Sequence, residues 1–320
     1  MRPRPLIIDT DPGVDDAVAL VLALRSPEVD VRAVVAAFGN VALERTLDNA
    51  GRVLALTGRT DVPLGTGADR PLVHRREQRA GHVHGVDGLG GRAAQLPDPV
   101  TPLPGSGIAL MARVLEEADE PVTIASIGPL TDTALLLATH PGLAERIERI
   151  VVMGGAIGGG NITGAAEFNV HADPEAAHRV LTQDRVPVAL VPLETTLGCA
   201  AGPEWIAELA GADPVGAELA AMIAPYHGYY RGRYGRDAVA LHDATALLEC
   251  VAPGSLAATP VPLVVDTGFG PARGATIPYR VPEAPSPAVD VLSAPDVPAV
   301  LDAVLARLSG RPQASPCSIA

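Results

Sequence analysis

Leu6-Ile7-Ile8-Asp9-Thr10-Asp11-Pro12-Gly13-Val14-Asp15-Asp16 reads as a short apolar strand that empties into four carboxylates broken by a Pro-Gly turn. Like charges crowded this closely destabilise one another unless something positive sits among them. A hard cation with oxygen ligands is the simplest such group, because Ca²⁺ and Mg²⁺ are held by carboxylates, carbonyls and water. The same residues also fit a turn followed by the acidic first turn of a helix, since Ala17–Leu24 is rich in Ala and Leu and ends near Ser26-Pro27. On this stretch alone both readings stand.

Working outward, short apolar runs alternate with helix-like segments. The strand candidates are Pro5–Ile8, Val31–Phe38, Val122–Ile127, Ile150–Met153 and Pro187–Pro192. Between them, Asp15–Leu24, Leu43–Leu56, Gly107–Glu117, Leu130–Ala138 and Pro174–Leu181 carry helical patterns. This alternation predicts an α/β fold, a mostly parallel central sheet flanked by helices. In such sheets ligands bind beyond the carboxyl ends of the strands. Asp9-Thr10-Asp11, Gly39-Asn40, Ser126-Ile127-Gly128 and Met153-Gly154-Gly155 all fall at those ends, which predicts one shared site.

Composition narrows the function. The formal charge of −13, with no basic stripe to offset it, argues against a nucleic-acid partner. All basic residues are arginine; the densest early group, Arg75, Arg76 and Arg79, reads as a solvated loop. Cys199, Cys250 and Cys317 lack zinc-binding spacing and fit a reducing compartment. No apolar stretch approaches a membrane span or a signal-peptide core, so a cytoplasmic location without membrane association is expected. Without an internal repeat or a compositional break, residues 1–309 are expected to form a single domain, and 310–320 a disordered tail.

Three further segments carry polar groups. His82 and His84 lie in the Gly-rich stretch Gly81–Gly88, where such a pair is more often structural or exposed. Asn161–Asn169 follows three glycines without the lysine of a phosphate loop; its amides and Glu167 suit a neutral, hydroxyl-rich ligand. Late in the chain, His242-Asp243 fits either a titratable pair or a helix N-cap at Asp243 before Ala244–Leu248. From Thr195 to Ala246 the chain reads as more helical. Tyr226, Tyr230 and Tyr234 recur every four residues along one helix face, which fits core packing or the rim of a ligand mouth. Gly232 and Gly235 are expected to fray that helix.

Taken in order, DTDPGVDD, Gly39-Asn40, His84–Gly88, Met153–Asn169 with its AEFN, and His242-Asp243 resemble the inosine–uridine-preferring nucleoside hydrolases. The matches run from residue 6 to about 245. The resemblance implies a Rossmann-like nucleoside hydrolase fold with a helical segment near the active-site mouth. It also implies Ca²⁺-dependent hydrolysis of the N-glycosidic bond of ribonucleosides. Asp11 would contact the metal and its water and act as general base. Asp16, Asp243 and the backbone carbonyl of Ile127 would complete the metal shell, and Asp15 would accept from a ribose hydroxyl. Asn161, Glu167 and Asn169 would bind ribose hydroxyls with Asn40 nearby; Met153, Phe168 and Tyr230 join the substrate-binding set. His242 matches the proton donor to the leaving base and His84 the other pocket histidine. A homodimer or homotetramer is implied as well.

The chemistry agrees with that assignment. Breaking a ribosyl C–N bond creates oxocarbenium character, which needs nearby negative charge and an aimed water. Calcium acidifies water far less than zinc does, so a carboxylate base is required. The chain departs from the usual family pattern at Ala244 (commonly proline), Asp132 (commonly asparagine) and Glu194 (commonly aspartate). None of these is an expected metal ligand. The alternatives are a catalytically weak nucleoside-binding protein and a ribosyl-transferring enzyme on the same scaffold. A haloacid-dehalogenase-like phosphatase, admitted by Asp9-Thr10-Asp11, is opposed by Gly13 and by the lack of any lysine.

Overall fold

The opening apolar run becomes strand β1 (Arg4–Thr10), set inside a nine-stranded sheet. This computed structural model describes residues 2–74, 79–182, 186–279 and 286–310. From β1 the chain continues through α1 (Val14–Leu24), β2 (Val29–Ala36), α2 (Leu43–Leu56), β3 (Leu64–Thr66) and the one-turn α3 (Gly81–His84). Next come α4 (Gly107–Glu117), β4 (Val122–Ser126), α5 (Thr131–Thr139), β5 (Ile147–Met153), α6 (Phe168–Ala172), α7 (Pro174–Thr182) and β6 (Val188–Val191). A largely helical stretch follows: α8 (Leu193–Gly198), β7 (Ala200–Ala201), α9 (Pro203–Ala210), α10 (Pro214–Tyr234), β8 (Val239–Ala240) and α11 (His242–Val251). The chain closes with β9 (Ala257–Val265), β10 (Thr276–Pro278), β11 (Ala288–Ser293) and α12 (Val297–Leu308).

Across the sheet the order is β10-β9-β11-β6-β5-β4-β1-β2-β3. Neighbours from β11 to β3 are parallel, whereas β9 runs antiparallel to β11 and β10 to β9. The chain winds from β1 to β2 and β3 on one side, then returns to β4, β5 and β6 on the other. The carboxyl ends of β1 and β4 therefore border the crevice where the winding reverses, the usual ligand site of an open α/β sheet. Register places Asp9 level with Val35 and Ser126, so Thr10-Asp11 and Ile127-Gly128 emerge side by side.

Alternation along β1 sends Leu6 and Ile8 into one apolar layer and Ile7 into the other. Every residue of α1 is buried, because α2, α10, α11 and α12 pack around it. Ala and Leu meet that demand with little loss of side-chain entropy. Trp205 belongs to this packing: its indole N–H donates to the Leu301 carbonyl, joining α9 to α12. Cys199 and Cys250 are buried free thiols.

Several expectations are corrected. Gly81–His84 forms a helical turn and not part of a loop. Helix α10 passes through Gly232 without a break and ends at Gly235, whose left-handed φ of 64° closes it. Asp243 is not an N-cap; α11 begins at His242 with Leu241 as its cap, which leaves the Asp243 carboxylate available. Strands β3, β9, β10 and β11 were not among the expected strands. Pro260 and Pro262 disguise β9; among the described residues the β10 ladder covers Leu263–Val265, and Pro262 meets that side only as an acceptor, through its carbonyl to the Tyr279 N–H, so its missing N–H costs no ladder bond there. Arg75, Arg76, Cys317 and residues 311–320 lie outside the described residues.

Candidate functional site

The carboxyl ends of the strands open into one pocket, and the acids of the first stretch form its floor. Asp11, Asp15, Asp16 and Asp243 are all buried. The Asp11 carboxylate fits between two glycines. A Cβ at Gly39 would lie 1.9 Å from its Oδ2, and one at Gly128 would lie 2.6 Å from its Oδ1. That is why a glycine follows each of the two neighbouring strands. The Asn40 N–H donates to Asp11 Oδ2 at 2.7 Å, and Asn40 Nδ2 donates to Asp16 Oδ2 at 3.0 Å.

Asp16 satisfies both readings of its stretch. It accepts from the Gly13 N–H at 2.9 Å, closing the first turn of α1. It also accepts from the Asp11 N–H and from the Thr10 hydroxyl. Together with Asp15 and Asp243 it offers oxygen atoms that all lie within 4.8 Å of one another.

This cluster fits a cation. Burial drives the Asp11, Asp16 and Asp243 carboxyls above the usual carboxylate range, and the charges of their acidic neighbours push in the same direction. Asp15 is raised to about 6, chiefly by burial. Oδ1 of Asp11 and Oδ1 of Asp15 are buried without a hydrogen-bond partner. Buried carboxylates brought together from the N-terminal stretch and from α11, two of them with an orphaned oxygen, are costly unless a positive charge joins them. The donors are all oxygen, which favours a hard ion.

Neutral groups adjoin the acids, with His84 Nδ1 3.6 Å from Asp15 Oδ1. His84 Nδ1 accepts from the Val14 N–H at 3.2 Å, its ring stacks on Tyr226 at 5.1 Å, and burial lowers its pKa to about 4. Burial likewise lowers His242 to about 3, helped by His84. Thr196 Oγ1 donates to the Leu193 carbonyl at 3.1 Å and lies 2.7 Å from His242 Nδ1, so Nδ1 carries the imidazole proton. Nε2 is then the acceptor for the Tyr230 hydroxyl at 2.5 Å. Tyr226 donates to Tyr230 at 3.3 Å and lies 3.5 Å from Asp15 Oδ2. A chain of hydroxyls and one neutral imidazole therefore spans the pocket from Thr196 to the acids.

The segment after β5 closes the third side. Glu167 caps α6, accepting from the Asn169 and Val170 N–H groups, and also takes the Gly155 N–H. Burial raises its carboxyl to about 7 despite these bonds. Asn169 Nδ2 donates to the carbonyls of Ile127 and Met153, fastening the segment to β4 and β5. Asn161 Oδ1 accepts from the Phe168 N–H, which leaves its amide N–H₂ as donor.

Asp11, Asp15, Asn40, His84, Ile127, Met153, Asn161, Glu167, Phe168, Asn169, Tyr230, His242 and Asp243 all line this pocket, with Asp16 beneath them. Ala80, His82, Val83, Tyr226, Tyr229 and Tyr234 also line it and were not among the expected site residues. The four-residue tyrosine spacing was the available signal for Tyr226 and Tyr234. Thr196, which orients His242, carried none. The residues that depart from the family pattern serve as supports: both Asp132 oxygens accept the Ala68 N–H, and Glu194 accepts the Ile157 N–H. Ala244 is buried in α11.

Known proteins share this arrangement. The pyrimidine-specific ribonucleoside hydrolase RihA of Escherichia coli O1:K1 is 50% identical over 193 residues, covering 60% of this chain and 61% of that protein. The match therefore spans about three fifths of that curated relative's length. The solved structure titled Plant nucleoside hydrolase - PpNRh1 enzyme superimposes with a TM-score of 0.90 at 31% identity, covering 96% of this chain and 99% of that one. The purine-preferring ribonucleoside hydrolase from Gardnerella vaginalis gives 0.89 at 28% identity, with 96% and 98% covered. Residues 6–302 match the sequence pattern of a family described as inosine-uridine preferring nucleoside hydrolase. On that match, and on a fold and pocket in keeping with it, the chain belongs to the inosine-uridine preferring nucleoside hydrolase family.

Proposed function

We propose that this protein hydrolyses the N-glycosidic bond of ribonucleosides, pyrimidine ribonucleosides foremost, with calcium at the acid cluster. The observation that carries the reading is one pocket in which buried acids give way, from Asp15 outward, to a neutral Tyr-Tyr-His chain. The acids suit a ribose diol and developing positive charge at C1′. The neutral chain suits an uncharged base. RihA's pyrimidine specificity supports the base preference, as does the compact aromatic end formed by His84, Tyr226 and Tyr230.

A calcium ion held by Asp11, Asp16, Asp243 and the Ile127 carbonyl would supply the charge that keeps these acids ionised and would order water and ribose hydroxyls beside them. Asp11 removes a proton from the attacking water as its oxygen bonds to C1′ and the C1′–N bond breaks. Asp15 accepts a ribose hydroxyl through its unpaired Oδ1. Asn169, whose N–H₂ group is already committed, accepts through Oδ1, while Asn161 donates. The departing base takes its proton from Tyr230 as that O–H turns from His242 Nε2 to the base nitrogen; the tyrosinate left behind, which accepts from the Tyr226 hydroxyl, is reprotonated from solvent. His242 acts through Tyr230, because its Nε2 is an acceptor there and its own proton faces Thr196.

The test is product analysis after incubation with uridine, cytidine and inosine in calcium. Free ribose and free base in equal amounts support hydrolysis. A new glycoside would identify transfer, and tight binding without products would identify a binder; either result overturns the proposal.

A further inference from the structure

An open groove of about 410 Å³, rimmed by the exposed Glu194, Gly198, Tyr234 and Arg236, adjoins the aromatic part of the site, whose own pocket holds about 110 Å³. The two share Tyr230 and Tyr234 in their linings. These rings form a partition whose halves are held very differently. Tyr230 is buried and its hydroxyl is fixed on His242 Nε2. Tyr234 is 38% exposed, one turn further along α10, and stands 5.3 Å from the Tyr230 ring. Among the described residues its ring is held by Tyr230 and by Arg233 stacked over it, and its hydroxyl has no hydrogen bond. Beyond the partition the lining is small at Ala238 and at Gly198, which is exposed, so that a Cβ added there would point into open space at the rim.

We infer that this groove is an annex to the base end of the site, entered past Tyr234, which admits ribonucleosides whose base carries a neutral aromatic or acyl substituent. The inference rests on the ribonucleoside reading above, since that reading places the base against Tyr230. The lining argues for a neutral group. Leu197, Ala200, Ala238 and Ala240 make most of it apolar, and its two charged side chains, Glu194 and Arg236, stand exposed to solvent, so a charged substituent would give up water for an apolar lining. The tyrosine faces favour an aromatic ring or a flat acyl amide. A fixed Tyr230 keeps the parent base in register while a displaced Tyr234 makes room for the substituent.

The test compares cytidine with N4-benzoylcytidine and uridine with 5-phenyluridine, two pairs that direct the same kind of substituent from different edges of the ring. The native protein is expected to hydrolyse at least one substituted nucleoside with kcat/KM within about tenfold of its parent. Gly198→Leu and Ala238→Leu fill the annex without touching the site. Each is expected to lower kcat/KM for that substituted nucleoside by about tenfold or more while leaving the parent within about twofold. Turnover of the parents alone overturns the annex and leaves the ribonucleoside reading standing. Equal losses on parent and substituted nucleoside in both variants also overturn it. No turnover of either parent overturns the ribonucleoside reading and the annex with it.

Discussion

In the proposed mechanism Asp11 is the general base, and its surroundings define what its replacement should do. Two glycines clamp its carboxylate and the Asn40 N–H fixes one oxygen, so an amide of the same shape fits the slot. Asp11→Asn is expected to lower kcat for uridine by about 10²–10⁴-fold, the span of general-base catalysis. Ribose affinity, measured by calorimetry, should stay within a few-fold of the native protein. Retained turnover would remove Asp11 from the role of base. In the neutral chain, Tyr230→Phe removes the hydroxyl bonded to His242 and keeps the ring. Hydrolysis of uridine should fall by about tenfold or more, while p-nitrophenyl riboside, whose leaving group needs no proton, should change little. Equal losses on both would make Tyr230 a packing residue only.

Among the elements, the short helix α6 shows how local structure and site are joined. Its cap, Glu167, holds two α6 N–H groups and the Gly155 N–H, and the next turn presents Asn169 to the pocket. Glu167→Ala is expected to destabilise the protein by about 1–2 kcal/mol in urea denaturation, the usual cost of a lost cap, and to raise KM as Asn169 loosens. An unchanged KM would separate the cap from the site. Most of this scaffold was legible in the sequence because periodicity and burial agree. The helices Leu43–Leu56 and Gly107–Glu117 fall where their patterns place them, and the five expected strands all occur with shifted ends. What escaped was set by tertiary pairing. Three-residue β3 and proline-bearing β9 have no strand pattern of their own and exist because a neighbouring strand offers a ladder. The site was legible for a different reason: charged and amide residues at strand ends have little reason to be buried except to bind. Thr196 and Tyr226 act through partners distant in sequence, His242 and Asp15, and only the fold brings those together.

Across the protein as a whole, the acid cluster links stability to pH and, on the proposed function, to the calcium it would hold. Folding raises the Asp15 carboxyl to about 6, and Asp11, Asp16 and Asp243 move in the same direction. Acids raised on folding bind protons more tightly in the native state. Their contribution is present below the unfolded carboxylate range and is lost as pH rises through the folded values. A bound calcium ion would favour the ionised form and offset that loss. The Tm gained on replacing chelator with calcium is therefore expected to grow between about pH 5 and about pH 7.5. A gain that is flat or shrinks over that range would detach these acids from the metal. Whether buried acids and a cation grip the ribose diol for hydrolysis is decided by free ribose released from uridine and 2-deoxyribose from 2′-deoxyuridine, each with calcium and with a strong chelator. Sugar release from uridine alone, abolished by the chelator and restored by added calcium, is the expected result. Equal hydrolysis of the 2′-deoxy substrate, or full activity in chelator, would contradict it.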